Sequence, residues 1–160
     1  MAPRMGAGHR APVIGYRHCW GTSKPMSMKH QGSCLCGGIS FTVTGPLEPI
    51  QVCHCVQCRQ AQGGPVATNI PVEVGALTFH RGEELLQRFE SSPGKIRAFC
   101  KVCGSPVFSK RNSLPGMLRI RAGLLQEPVA AKLAFHFFTG SKASWWPICD
   151  ELPQYADRAP

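Results

Sequence analysis

Acidic side chains are scarce in this chain of 160 residues: nine Asp and Glu stand against 18 Lys and Arg, a formal charge of +9. Residues 1–30 contain no acid and carry Arg4, Arg10, Arg17, Lys24 and Lys29, so most of the excess lies there. From residue 31 onward, 13 basic and nine acidic side chains leave +4. The basic segment lacks aromatic interleaving and any recognition motif, so its charge does not specify a nucleic-acid partner, and none is expected. Long apolar runs are also missing. No stretch of about 18 apolar residues suggests a membrane span, and residues 1–30 lack the continuous apolar core of about 7 to 15 residues that a secretory signal needs. A cytoplasmic protein without membrane association is the expectation. In such a reduced compartment, closely spaced cysteines bind metal or do redox work more often than they build a disulfide framework.

Strong helix formers rarely run together, while 17 Gly and 14 Pro punctuate the chain. That pattern argues against a helical bundle and for short strands joined by turns. The length fits one domain with a moderate core and is too short for two full ones. No internal repeat and no low-complexity tract interrupts the body. Residues 1–29 are read as a disordered basic extension, with Met26 or Met28 as alternative translation starts; residues 30–157 are read as the folded domain. Strand patterns run through "GISFTVTG", "ALTFHRG", "LLQRFES", "KIRAFC", "PVFSKRN", "MLRIRAGLL" and "KLAFHFFTG", broken by turn signals in the manner of a β-meander. The main helix candidate is "VQCRQAQ" after Cys55, ending at Gly63-Gly64, and a short helical turn is expected in the tail.

What the chain has in excess is cysteine, nine in all, seven of them in three tight groups: Cys34 and Cys36; Cys53, Cys55 and Cys58; Cys100 and Cys103. In an extended segment, residues i and i+2 share a face, so Cys34 and Cys36 can reach one ion. A Cys-x-x-Cys turn curls around a metal, and Gly104 after Cys103 tolerates the positive φ that such a turn asks for. Seven thiolates on two zinc ions would bring the body to about +1, which further weakens the case for a polyanionic partner. Two pairs and a triple divide into a closed four-cysteine set, the pattern of structural zinc, and a three-cysteine set with an open position, the pattern of catalytic zinc. Cys34, Cys36, Cys100 and Cys103 are assigned to the first set; Cys53, Cys55 and Cys58 to the second. Spacing alone leaves open that Cys149, Cys19 or His54 closes the triple, or that Cys55 and Cys58 form a redox couple.

Taken in order, "GSCLCGG", "CHCVQCR", "AFCKVCGSPVF", the glycine-bearing "RIRAGLL" and the ending "GSKASWWPICDELPQY" resemble the glutathione-dependent formaldehyde-activating enzyme family, which includes centromere protein V. The resemblance covers roughly residues 30–157. It implies an Mss4-like zinc-binding β-sandwich or β-tent with few short helical turns, and the same partition of the seven cysteines between a structural and a catalytic zinc. It further implies a carbon–sulfur lyase that forms S-hydroxymethylglutathione, with glutathione and formaldehyde, or a similar thiol and small aldehyde, as partners. Arg59 is a candidate contact for a glutathione carboxylate. His54 and His80 are candidate proton shuttles, although an extended backbone at His54 would turn its side chain away from Cys53 and Cys55. Trp145 and Trp146 are expected to pack on the core edge or to roof a pocket. Cys149 is expected to be an inert buried thiol and Cys19 a free one. The competing class is a zinc-stabilised binding module without catalysis.

Overall fold

A computed structural model describes residues 29–159; apart from Lys29, the expected basic extension, with Cys19, Met26 and Met28, lies outside the described residues. In chain order the elements are β1 (Lys29–Ser33), β2 (Ser40–Thr44), β3 (Ile50–Cys53), α1 (Val56–Gln62), β4 (Ala67–Glu73), β5 (Leu77–Arg81), β6 (Leu86–Ser92), β7 (Lys95–Cys100), β8 (Pro106–Arg111), β9 (Met117–Arg121), β10 (Leu133–Phe137) and β11 (Gln154–Tyr155). The expected mainly β architecture is the one observed, with α1 where "VQCRQAQ" predicts it. Gly63 ends α1 in the left-handed region at φ 64, its N–H returning to the Arg59 carbonyl.

Two sheets form: β1-β2-β5, and the longer β11-β10-β3-β4-β9-β8-β7-β6. Of the expected meander, β6 to β9 form one, antiparallel throughout, while β5 pairs instead with β2 in the small sheet. Elsewhere the topology departs from a meander, because β10 runs parallel to β3 and β11 parallel to β10. Four strands escape the sequence reading: β1, β3, β4 and β11 are short, polar or interrupted. In β4 the interruption is Pro71, which argues against a central strand. The register explains how it fits: β3 pairs only with Ala67–Asn69, so beyond Asn69 that side of β4 is open and the missing N–H breaks no ladder there.

Strand pleating sorts the long sheet into two chemically opposite faces. On one face Ile70, Val72, Ala98, Phe108, Leu118 and Ile120 meet Ile39, Phe41 and Val43 from the three-stranded sheet, forming the main core. The register carries Ala98, Phe108, Ile120 and Ile70 across four strands as a single apolar row. One step along each strand, the opposite row reads Arg97, Ser109 and Arg119. Gln51, Asn69 and Arg121 form a second such row, and Lys95 pairs with Arg111 beyond the first. The sheet therefore has a hydrophobic side that holds the fold and a cationic side that shares a cavity with Cys53, Cys55 and Cys58.

Candidate metal centres and the cavity beside the three-cysteine set

Cys34 and Cys36 lie in the turn after β1, Cys100 ends β7, and Cys103 lies in the turn between β7 and β8. Their four sulfurs all lie within 4.8 Å of one another, with Cys34 to Cys36 at 3.5 Å and Cys36 to Cys100 at 3.9 Å. A tetrahedral ion with arms of about 2.3 Å to sulfur has edges of about 3.8 Å, so the set fits one ion. The backbone is arranged for anionic sulfur: the Ile39 N–H donates to the Cys34 sulfur at 3.2 Å. Gly104 takes the expected positive φ, 76°, and its N–H closes the turn on the Cys100 carbonyl at 2.8 Å. The Ser105 hydroxyl and backbone pull the Cys103 thiol down to about 5. Cys34 and Cys100 belong to the main core.

Cys53 ends β3, Cys55 caps α1, and Cys58 lies in its first turn, so a strand end and a helix start converge on one point. The Cys58 N–H donates to the Cys55 sulfur at 3.3 Å. The three sulfurs lie within 4.8 Å of one another, and no other Cys, His, Asp or Glu among the described residues joins them. Cys149 and His54, the two described candidates for closing the set, are absent from it. With Ala67, Cys53 and Cys58 form a satellite cluster separate from the main core, backed by Phe137 and Phe138. Contacts with the Cys53 and Cys55 sulfurs, assisted by Arg97, draw Cys58 down to about 2, while sulfur contacts with Cys55 and Cys58, and then burial, push Cys53 up. Arg97 points both terminal guanidinium nitrogens at the Cys58 sulfur, at 3.9 and 3.8 Å, and its Nε at the Ser91 hydroxyl.

The triple opens onto a cavity of about 590 Å³ whose walls include the polar face of the long sheet, the three phenylalanines Phe135, Phe137 and Phe138, and Arg158. Lys95, Arg97, Arg111 and Arg119 all face it, and no acidic residue lines it. Arg121 lies beneath, buried and bonded to Asn69. Sequence reasoning missed these cations. The signal was there: basic residues alternate in "KIR" and "RIR", Arg111 follows two residues after Ser109, and no acid occurs between Glu90 and Glu127. Arg59, the expected carboxylate contact, is not among the lining residues; its guanidinium goes instead to the Ser141 carbonyl at 3.3 Å. One helical position beyond Cys58 turns it about 100° away, off the sulfur-bearing face.

Lys95 is buried, with its Nζ donating to the Ser109 hydroxyl at 3.0 Å. Burial first, then Arg111, Arg119, Arg97 and Arg121, bring it from 10.5 down to about 8. Between those values the unfolded chain binds more protons than the folded one. This group's contribution therefore favours folding increasingly as pH rises through that window, and its cost is fully present below it. In phosphate-free buffer near neutral pH, Lys95→Met is expected to raise Tm by about 2–4 °C, a gain of about 1 kcal/mol after allowing for solvent screening. Calorimetry from neutral pH to above 10.5 should show the gain fading; a lower Tm at every pH would mean that Lys95 stabilises the fold.

The remaining candidates lie elsewhere. His54 is fully buried, its Nε2 2.8 Å from Nδ1 of His136, whose Nε2 meets Asp150 at 3.0 Å. Burial and then His136 lower its pKa, so it stays neutral and anchors the loop between Cys53 and Cys55. His80 bonds Thr42 at 2.7 Å on the three-stranded sheet. Neither histidine lines the cavity. Trp145 and Trp146 neither roof it nor pack on the core: they are 64% and 43% exposed and contact each other edge to face. Cys149, expected to be buried, is exposed. No helix among the described residues is long and apolar enough to cross a membrane.

Comparison with known proteins agrees with this arrangement. A solved structure of a Rhodobacter sphaeroides protein aligns with a TM-score of 0.52 and 25% identity, covering 62% of this chain and 89% of that one. A Halomonas elongata protein, provisionally named a glutathione-dependent formaldehyde-activating enzyme, is 35% identical over 85 residues, 49% of this chain. The match spans about half, 54%, of that relative's length. The model of the glutathione-dependent formaldehyde-activating enzyme family matches residues 29–141, from β1 through both cysteine clusters to the strand beside the cavity. The chain belongs to that family.

Proposed function

We propose that the chain joins a thiol such as glutathione to formaldehyde or a similar small electrophile, as a carbon–sulfur lyase of the S-hydroxymethylglutathione synthase type. The observation that carries this reading is a set of three cysteines, closed by no fourth side chain among the described residues, facing a cation-lined cavity. Cys34, Cys36, Cys100 and Cys103 would hold a structural zinc, and Cys53, Cys55 and Cys58 a reactive one. Zinc in the second set would supply an open position that binds the substrate sulfur and favours its thiolate.

The chain's own residues do the rest. Arg97 places positive charge beside Cys58, offsetting the crowding of thiolates. Lys95, Arg111 and Arg119 can take the carboxylates of the thiol and fix its orientation, which brings the reaction the advantage of proximity. The same cations stabilise the negative charge that moves to the carbonyl oxygen as the carbon–sulfur bond forms. Phe135, Phe137 and Phe138 give the electrophile a partly dry wall.

The test measures zinc per chain, glutathione binding, and exchange between glutathione, formaldehyde and their adduct by NMR. Wild type is expected to hold two ions and to accelerate exchange. Cys55→Ser is expected to hold one, keep its fold and lose both glutathione binding and acceleration. Global unfolding of Cys55→Ser would make the triple structural, and a folded wild type with two ions and no acceleration would reject the reaction.

A further inference from the structure

The cations that can take the carboxylates of a thiol are also placed to meet one more highly charged group. Two of its members are already engaged: Arg97 with Cys58 and Ser91, and Arg121 with Asn69. On the sheet face Lys95, Arg111 and Arg119 remain, and Arg158 also lines the cavity. Among the described residues, no acidic residue lines the cavity, and none is paired with Lys95, Arg111 or Arg119. Lys95 is only 7% exposed and bonds a neutral hydroxyl. A buried cation without an acidic partner is costly, and a cavity that keeps Lys95 beside the half-buried Arg111 and Arg119, with only the cysteine set to offset them, suits an anion from outside.

Their placement narrows the kind of anion. Lys95 and Arg111 are direct cross-strand partners, Ser109 is opposite both Arg97 and Arg119, and Arg111 is diagonal to Arg119. Direct partners on one face stand about 5 Å apart and diagonal ones about 7–8 Å, within the reach of long side chains. Three cationic heads and the Ser109 hydroxyl can therefore converge on one group. A carboxylate presents two oxygens in a plane and satisfies one guanidinium. A tetrahedral oxyanion presents three free oxygens in three directions and carries nearly two charges, matching this set.

We propose that Lys95, Arg111, Arg119 and Ser109 form a dianion subsite, and that one reactant brought to the three-cysteine set carries a phosphate group. As a substrate subsite it rests on the reaction proposed above. The phosphate belongs either to the thiol or to the carbonyl compound.

The probe is inorganic phosphate, titrated calorimetrically into the zinc-loaded protein against acetate at equal ionic strength. Phosphate is expected to bind at least about tenfold more tightly than acetate, and Lys95→Met and Arg111→Gln each to weaken it about tenfold or more at unchanged zinc content. Binding no tighter than acetate, or equal in the variants, overturns the subsite. Glutathione–formaldehyde exchange, followed separately, distinguishes the two readings: exchange without phosphate binding rejects only the dianion subsite, and phosphate binding without exchange rejects only the glutathione reaction. The source is read from matched pairs. Preference for pantetheine 4′-phosphate over pantetheine puts the phosphate on the thiol, and preference for glycolaldehyde phosphate over glycolaldehyde puts it on the electrophile. Phosphate bound tightly with no preference in either pair would also overturn the substrate assignment.

Discussion

Cys100→Ser is expected to lose the cooperative folded state. Cys100 is fully buried at the end of β7, within the same core as Ile39, Phe41 and Ile120. Its sulfur set links the turn after β1 to the turn between β7 and β8, more than sixty residues later in sequence, and so holds the small sheet against the large one. A metal bound only in the folded state contributes about 10 kcal/mol or more, comparable to the whole stability of a domain this size. Serine supplies a poor ligand and leaves a buried hydroxyl unpaired, a further cost of about 1–3 kcal/mol. Loss of a cooperative melt together with loss of at least one zinc per chain would bear this out. A Cys100→Ser variant that melts cooperatively with both ions bound would refute it. Cys149→Ser, at an exposed thiol outside both sets, is the control and should leave Tm and zinc content unchanged.

What the sequence made legible were the features written in local spacing. Cysteine pairs two or three residues apart announce ligands because short tethers bring sulfurs together whatever the rest of the chain does. The helix after Cys55 was readable because its run of helix-compatible residues ends at Gly63-Gly64; the Cys55 sulfur that caps it shows only in the structure. The core face of β7 to β9 followed from alternation. The same alternation also carried the cationic face, but nothing local distinguishes Lys95, Arg97, Arg111, Arg119 and Arg121 from ordinary polar positions facing solvent. Only the register, Lys95 opposite Arg111 and Ser109 opposite Arg97 and Arg119, turns cations dispersed over three strands into one wall. Arg59 misled for the converse reason: adjacent to Cys58 in sequence, it leaves the helix in another direction. The strands β3 and β4 stayed hidden because each is brief or broken by proline, although together they carry Cys53, Gln51 and Asn69 to the site.

Cys58→Ser should have the opposite profile to Cys100→Ser: a retained fold with nearly all activity gone. Cys58 sits in the satellite cluster with Cys53 and Ala67, so the main core does not depend on it. The substitution takes the sulfur partner from Arg97, whose buried guanidinium keeps only the Ser91 contact, a penalty of about 1–3 kcal/mol that a marginal domain can still absorb. For activity the balance is different. Two cysteines hold a divalent ion far less tightly than three, and without it the substrate thiol must lose its proton unaided in a cavity whose cations remain in place. A fall of about 10³-fold in kcat/KM, equivalent to about 4 kcal/mol of transition-state stabilisation, is expected. Arg97→Met should fall by a smaller factor, about 10- to 100-fold, because it removes charge from beside the sulfur while leaving all three cysteines. Zinc content separates the two: near one ion for Cys58→Ser, two for Arg97→Met. If Cys58→Ser kept both ions and full exchange activity, the triple would not be the reacting centre; if it unfolded as Cys100→Ser is expected to, both cysteine sets would be structural.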